Sequence, residues 1–356
     1  MACHLHFLVL LNAILLLAVA ASRDVKNRVR RVPSHHPSPL QTSLERSEKS
    51  SLFDTDLRTT TAASLYTKAE LDLKPCVIVR FYDKQANALP SLLFSLLASE
   101  HPHLKALVID TGKEPYEKLS ELLGRVNRAS GKRWVQAYKG TAPSVRSAFP
   151  KFHHEDFGYV LTDMALEDIL KTKKGDSRSA SFSCDTLTFT NADNLYSPLF
   201  LPAMLKSISH GNDMVASHFI SHYPVPEERN LNSFDELTSS EAGCGTLRGG
   251  MDAEFVTSDQ FIPWCVELGS VMVTTKAVDK ANIRFVIDML RKDGTGTSVT
   301  RHAIHVADPK INKVVLKTFE NPSDFFASAD GNFFYKLASQ PNVVANTVQR
   351  VLMLHL

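Results

Sequence analysis

Residues 76–112 read CVIVRFYDKQANALPSLLFSLLASEHPHLKALVIDTG. Cys76–Phe81 is a short run rich in β-branched residues, the pattern of a strand buried on both faces. Leu89, Leu92, Leu93, Leu96 and Leu97 then recur at helical spacing, which predicts an amphipathic helix over 89–98. Lys105–Asp110 (KALVID) is a second buried strand, and it ends on an acid. Strand, helix and strand in this order predict an α/β fold with a mostly parallel sheet.

The alternation continues downstream. Pro115 opens a predicted helix carrying Leu119, Leu122, Leu123 and Val126. Trp134–Tyr138 reads as a strand, and Thr162 as the cap of a helix through Ala165, Leu166, Ile169 and Leu170. Asp185–Thr190 is the next strand. Ser197-Pro198 starts a helix that Gly211 ends, and Met214–Phe219 is again a strand. Residues 222–262 are polar and irregular, too long for a passive connector. Gly269–Thr274 is strand-like, 276–290 helical, 328–338 a short helix and Val351–Leu354 a terminal strand.

Upstream, the composition is different. Phe7–Ala21 is apolar apart from Asn12, and about 20 such residues are needed to span a bilayer. Ala18-Val19-Ala20 matches a small-residue cleavage site. Residues 1–21 therefore read as a signal peptide or a short signal anchor. Residues 22–74 are rich in Ser, Thr, Pro, Arg and His without apolar periodicity, which is the composition of a largely disordered stem. The candidate fold is 75–356. The expected location is the secretory pathway, in the Golgi or ER lumen, or outside the cell. Membrane contact follows only if the first segment stays uncleaved.

Charge excludes one class of function. The chain of 356 residues has a net charge of +2. Residues 22–50 hold seven positive and three negative side chains, a net of +4, which leaves −2 for the body. Such a body is no nucleic-acid polymer binder, because those proteins neutralise phosphates with strong basic excess. Five cysteines are too few for a disulfide framework. Cys76 and Cys184 read as buried thiols, and Cys244 and Cys265 as a candidate pair.

Motif absence narrows the chemistry further. There is no G-x-G-x-x-G, Walker A loop, H-E-x-x-H, G-x-S-x-G or C-x-x-C. His153-His154-Glu155-Asp156 reads as a solvated turn, since adjacent side chains diverge. The remaining polar residues stand at strand ends: Asp110, and the run Asn191-Ala192-Asp193-Asn194. In an extended chain Asn191 and Asp193 share a face. They are either two oxygen ligands for a hard divalent cation or part of an Asx turn into the next helix.

The opening strand–turn–helix–strand, with LTFTNADNLYSPLFLPAML and FGYVLTDMALEDIL, resembles a GT-A-fold glycosyltransferase of the family 2-like kind. The resemblance covers about residues 74–356 and is poor over 222–262. It implies a single GT-A-like domain that moves a sugar from a nucleotide-diphospho-sugar to a glycan, lipid or protein hydroxyl. It also implies a Mn2+ or Mg2+ cofactor and inversion at the sugar carbon. Asp110 would accept from the nucleobase, Tyr82 would flank it, and Asp163 would support the nucleotide. Asn191, where the family usually has an acid, and Asp193 would face the metal, and His355 would complete that site. Gly269 would line the acceptor side. Asp330, at a helix N-terminus that favours its ionised form, would be the catalytic base. Two competitors stand beside this expectation. One is a secreted non-catalytic carbohydrate- or nucleotide-binding protein on a degenerate GT-A fold. The other is a nucleotidyltransferase.

Overall fold

A computed structural model describes residues 65–152, 158–173, 182–221, 246–248, 254–256, 266–293, 303–308, 313–318, 326 and 329–355. The leader, almost all of the stem, the His153–Asp156 cluster, Cys244 and Cys265 lie outside these residues. Tyr66–Leu356 forms one compact unit. It starts before the boundary expected at residue 75. Tyr66 donates its hydroxyl to the Ser99 carbonyl at 2.8 Å and packs edge-on against His101. Helix α1 (Lys68–Leu71) follows, closed by a Thr67–Glu70 capping box.

The fold is α/β. Strand β1 (Pro75–Phe81) lies between β2 (Lys105–Asp110) and β4 (Thr186–Asn191), parallel to both. Strand β3 (Val135–Ala137) extends the parallel array beyond β2. Strand β9 (Val271–Thr274) runs antiparallel beside β4. It is followed by β6 (Met214–Ser221), antiparallel to β9, and by β12 (Ala345–His355), parallel to β6. The two-residue β5 (Leu195–Tyr196) closes the order β3-β2-β1-β4-β9-β6-β12-β5. Along that path only β9 and β5 oppose the common direction, so the sheet is mostly parallel as expected. Strands β7 (Thr246–Arg248) and β8 (Glu254–Val256) pair with each other, and β8 pairs with β6. They fall in the stretch that looked irregular in sequence. A separate hairpin of β10 (Ala303–Asp308) and β11 (Lys313–Thr318) was not foreseen.

Several helix boundaries differ from expectation, each for a local reason. Helix α2 (Leu89–Leu97) stands where the leucine spacing put it. Helix α3 (Leu119–Ser130) begins after Pro115 rather than at it, and ends on left-handed Gly131. Helix α4 (Ala142–Ala148) is an addition. Helix α5 (Tyr159–Lys173) begins directly after Gly158, whose φ is +81°. Thr162 is therefore interior, and its hydroxyl donates back to the Gly158 carbonyl at 2.9 Å instead of capping. Helix α6 (Phe200–Ser209) follows the Ser197-Pro198 signal. The single helix expected over 276–290 is two. Helix α7 (Thr275–Ala281) stops at Asn282, φ +51°, and α8 (Ile287–Asp293) starts afresh. Helix α9 (Ala329–Ala338) is docked by Phe333, which stacks on Phe285 at 4.1 Å and meets Phe189 of β4 edge-on. This aromatic cluster fixes the N-terminus of α9 near the carboxyl ends of β1 and β4.

At the opposite end of the same strands the expected thiols are corrected. Cys76 and Cys184 form a disulfide across β1 and the entry to β4, with sulfurs 2.05 Å apart. Both half-cystines are buried, as expected of them.

Candidate active site at the carboxyl edge of the sheet

In an open α/β sheet the carboxyl ends of the strands form the crevice that binds ligands. Here β1 and β4 are in a register that pairs Arg80 with Asn191, and β1 and β2 in one that pairs Phe81 with Asp110. Tyr82, Asp110 and Asn191 thus leave three neighbouring strands at one edge. Tyr82 is 40% exposed. The Asp110 carboxylate accepts the Gly112 and Tyr116 backbone N–H groups at 3.0 and 2.6 Å, which shapes the loop after β2. Thr111 donates to the Phe81 carbonyl through both backbone and hydroxyl, so the two loops are tied. Gly158 sits so close to Thr111 that a Cβ would lie 2.3 Å from the threonine methyl. Glycine is required there twice over, for the approach and for the positive φ.

Arg80 occupies the centre of this edge. It is 7% exposed and lies over the Tyr159 ring at 4.3 Å. Its Nε and Nη2 donate to Asn191 Oδ1 at 3.0 and 2.7 Å. Burial works against its charge, but Tyr159, Asp330 and Glu267 together hold its pKa above the ordinary arginine value. Asp330 stands in the first turn of α9, as expected, with Oδ1 accepting the Gly331 N–H at 2.7 Å. Burial raises its pKa, while Arg80, backbone N–H groups and the Tyr159 hydroxyl oppose that rise. Glu267 is 8% exposed and caps the turn at Gly269 by accepting its N–H. Burial pushes its pKa up to about 8, against the pull of that N–H, and the Asp330 charge adds to the rise. His355 ends β12, with Nε2 4.0 Å from Glu267 and Nδ1 3.4 Å from the Ser221 hydroxyl. The edge thus gathers Arg80, Tyr159, Asn191, Glu267, Asp330 and His355.

Two other expected residues, Asp163 and Gly269, are engaged in packing and capping contacts. Asp163 is fully buried, and its carboxylate accepts the N–H groups of Phe285, Val286 and Ile287 at 2.8, 2.7 and 2.9 Å. It caps α8. Burial pushes its pKa up to about 7, against three backbone donors that pull it down. One turn later Glu167 takes Arg291 through two contacts of 2.6 and 2.7 Å. Gly269 lies in a 3₁₀ turn before β9 rather than in the strand, and it is buried. A Cβ there would sit 2.6 Å from both Met353 Sδ and the Tyr196 hydroxyl. Its visible role is close packing.

The cation question turns on 191–194. Beyond Asn191 the chain is not extended. The Asn194 N–H bonds to the Asn191 carbonyl at 3.3 Å, making a tight turn into β5. The premise that Asn191 and Asp193 share a strand face is corrected accordingly. Asn191 Oδ1 is already engaged by a guanidinium. Asp193 keeps one buried, unpartnered carboxylate oxygen. Among the described residues no three His, Cys, Asp or Glu side chains converge on a metal position. Of the expected ligand set only Asp193 offers an unpartnered carboxylate oxygen, since Asn191 Oδ1 is taken by Arg80 and His355 lies against Glu267 and Ser221, so the described residues build no protein cage for Mn2+ or Mg2+.

Sequence reasoning missed Arg80, Tyr159 and Glu267. A signal existed for two of them: Arg80 interrupts CVIVRF and Glu267 stands in the apolar run before Gly269, and a charge in a buried run needs a partner.

No protein-family model matches the chain, and no curated protein does. Solved structures do. Staphylococcus aureus TarS, residues 1–349, is similar at 11% identity and a TM-score of 0.41, over 80% of this chain and 60% of that one. TarS 1–349 in complex with UDP-GlcNAc is similar at 13% identity and a TM-score of 0.34, over 60% and 48% of the two chains. A mannosyltransferase of Pyrobaculum calidifontis, in complex with GDP-Man and Mn2+, gives 14% identity and a TM-score of 0.34, over 64% and 52%. The chain spans about 60% of the length of the first of these. The likeness is one of chain path and carries no argument about activity.

Proposed function

We propose that this protein is a glycosyltransferase that moves a sugar from a nucleotide-diphospho-sugar to an acceptor hydroxyl. The observation that supports it is the position of Asp330. An acidic side chain at a helix N-terminus is held, by Phe333 stacked on Phe285, at the carboxyl edge of the strands that also carry Tyr82, Asp110 and Asn191. In the proposed step Asp330 accepts the acceptor hydroxyl proton. The acceptor oxygen bonds to the anomeric carbon from the face opposite the diphosphate. The bond from that carbon to the diphosphate oxygen breaks, its electron pair leaves with the nucleotide, and configuration inverts. Tyr82, with an exposed ring, flanks the base, and the loop that Asp110 shapes presents backbone groups to it. Arg80 and Tyr159 hold Asp330 in place. Acceptor class is a glycan, lipid or protein bearing a free hydroxyl. The Cys76–Cys184 bond supports a secretory-pathway address, because disulfides persist in oxidising compartments.

The test is sugar release and transfer from a panel of UDP- and GDP-sugars, with Asp330→Asn alongside. Turnover in the native protein, and its loss in Asp330→Asn with nucleotide binding retained, is the expected result. Nucleotide binding without turnover from any donor would instead favour the non-catalytic binding protein. Asn191, in place of a charged ligand, is the observation that keeps that second reading in view.

A further inference from the structure

The hydrogen-bond partners of Asn191 fix the orientation of its amide. A guanidinium has donors and no acceptor. With Nε and Nη2 of Arg80 at 3.0 and 2.7 Å, the atom facing it must be the oxygen. Arg80 itself is pinned against Tyr159 at 4.3 Å and buried, so it does not swing away. Nδ2 therefore faces the other way. It has no hydrogen-bond partner among the described residues, and it is not among their buried unpartnered atoms. Asn191 is the last residue of β4, at the centre of the carboxyl edge.

We propose that Asn191 presents its amide N–H2 as a hydrogen-bond donor to the anionic diphosphate oxygens of the nucleotide-sugar, so that binding at this position needs no divalent cation. This rests on the nucleotide-sugar reading above and deepens it. An amide nitrogen has no free electron pair to give a metal, whereas both its hydrogens suit a phosphoryl oxygen. Hydrogen bonds to charged acceptors are among the stronger kind, and they lose little when the donor is held in advance. Arg80 is the positioning residue, and its contact with Asn191 decides which end of the amide meets the ligand. Replacing Asn191 by Asp keeps an acceptor for Arg80 but turns the outward atom from a donor into a carboxylate oxygen. That oxygen repels phosphate by itself and attracts it through a bridging cation.

The experiment is calorimetric titration of UDP and of GDP into the full chain, in EDTA and then in Mn2+, for the native protein, Asn191→Asp and Asn191→Ala. The native affinity for the preferred nucleotide should agree within about twofold between EDTA and Mn2+. Asn191→Asp should bind about tenfold or more weakly in EDTA and recover in Mn2+, while Asn191→Ala should weaken about tenfold in both, the scale of one charged hydrogen bond. The alanine variant carries the test if the aspartate variant does not fold. Native binding that appears only with Mn2+ overturns this inference and leaves the nucleotide-sugar reading standing. Metal-independent binding that neither substitution alters overturns it as well. Absence of any nucleotide binding under both conditions overturns the two together.

Discussion

Reducing or deleting the Cys76–Cys184 bond should destabilise the body severely. The bond closes a loop of 108 residues. Chain-entropy arithmetic for a loop of that length gives roughly 5 kcal/mol at 25 °C as the stabilisation from constraining the unfolded state. Native disulfides deliver about 2–5 kcal/mol in practice. With a urea slope of about 3 kcal/mol per molar, the midpoint should fall by roughly 0.7–1.7 M. The perturbation is the double variant Cys76→Ala/Cys184→Ala, compared with native protein unfolded with and without a reductant. Both half-cystines are 2% exposed or less, so reductant should act only as the protein unfolds. The double variant and the reduced native protein should share one midpoint, apart from the small cavity cost of two lost sulfurs. An unchanged midpoint in reductant, with thiol titration showing two newly freed cysteines, would refute the reasoning. So would a thiol count that finds Cys76 and Cys184 free in the oxidised protein.

Three further outcomes follow from other packed groups. Asp163→Ala strands three buried N–H groups at the start of α8, and should cost about 3 kcal/mol or more in urea unfolding. Gly269→Ala forces a methyl against Met353 and Tyr196, and should cost about 1–3 kcal/mol in the same assay. Glu267 has a folded pKa of about 8 against 4.5 for the free side chain. Its carboxyl is therefore held neutral by the fold. Its contribution is fully present below about pH 4.5, declines above that and is lost as pH rises through 8. Glu267→Gln should flatten the fall in melting temperature between pH 5 and 8; a slope equal to that of the native protein would contradict the buried, neutral carboxyl.

The central strands were legible because their buried residues leave little else to read. Val77, Ile78, Val79 and Leu107, Val108, Ile109 are apolar on both faces, as strands covered by helices must be. The helix ends were less legible because two residue types serve two purposes. Thr162 has the chemistry of a cap but spends it on a carbonyl one turn back, after a start set by the positive φ of Gly158. Asn282 breaks the helix pattern over 276–290 because asparagine tolerates the left-handed conformation, which no apolar spacing announces. At the edge of the sheet, Asp330 was visible as an acid before an amphipathic run. The partnership of Arg80 with Asn191 was not, since it joins residues 111 apart that only the β1–β4 register brings together. The disulfide was hidden likewise, as spacing does not give connectivity.

The place of β12 has a consequence for how the chain assembles as it is made. Strands β4 and β6 are not neighbours in the sheet; β9 lies between them, and β12 lies between β6 and β5. When β6 has been synthesised, neither of these partners exists yet, and it presents two unsatisfied edges. Such edges are templates for pairing with other chains. Strand β8 arrives first, on the edge that β9 then shares, and β12 arrives only with residues 345–355, which also deliver His355 beside Glu267. Long-range strand insertion of this sort is slow and leaves apolar surface open meanwhile. The nascent chain should therefore depend on chaperone cover until β12 emerges, and truncations that remove β12 should aggregate rather than yield a smaller folded body.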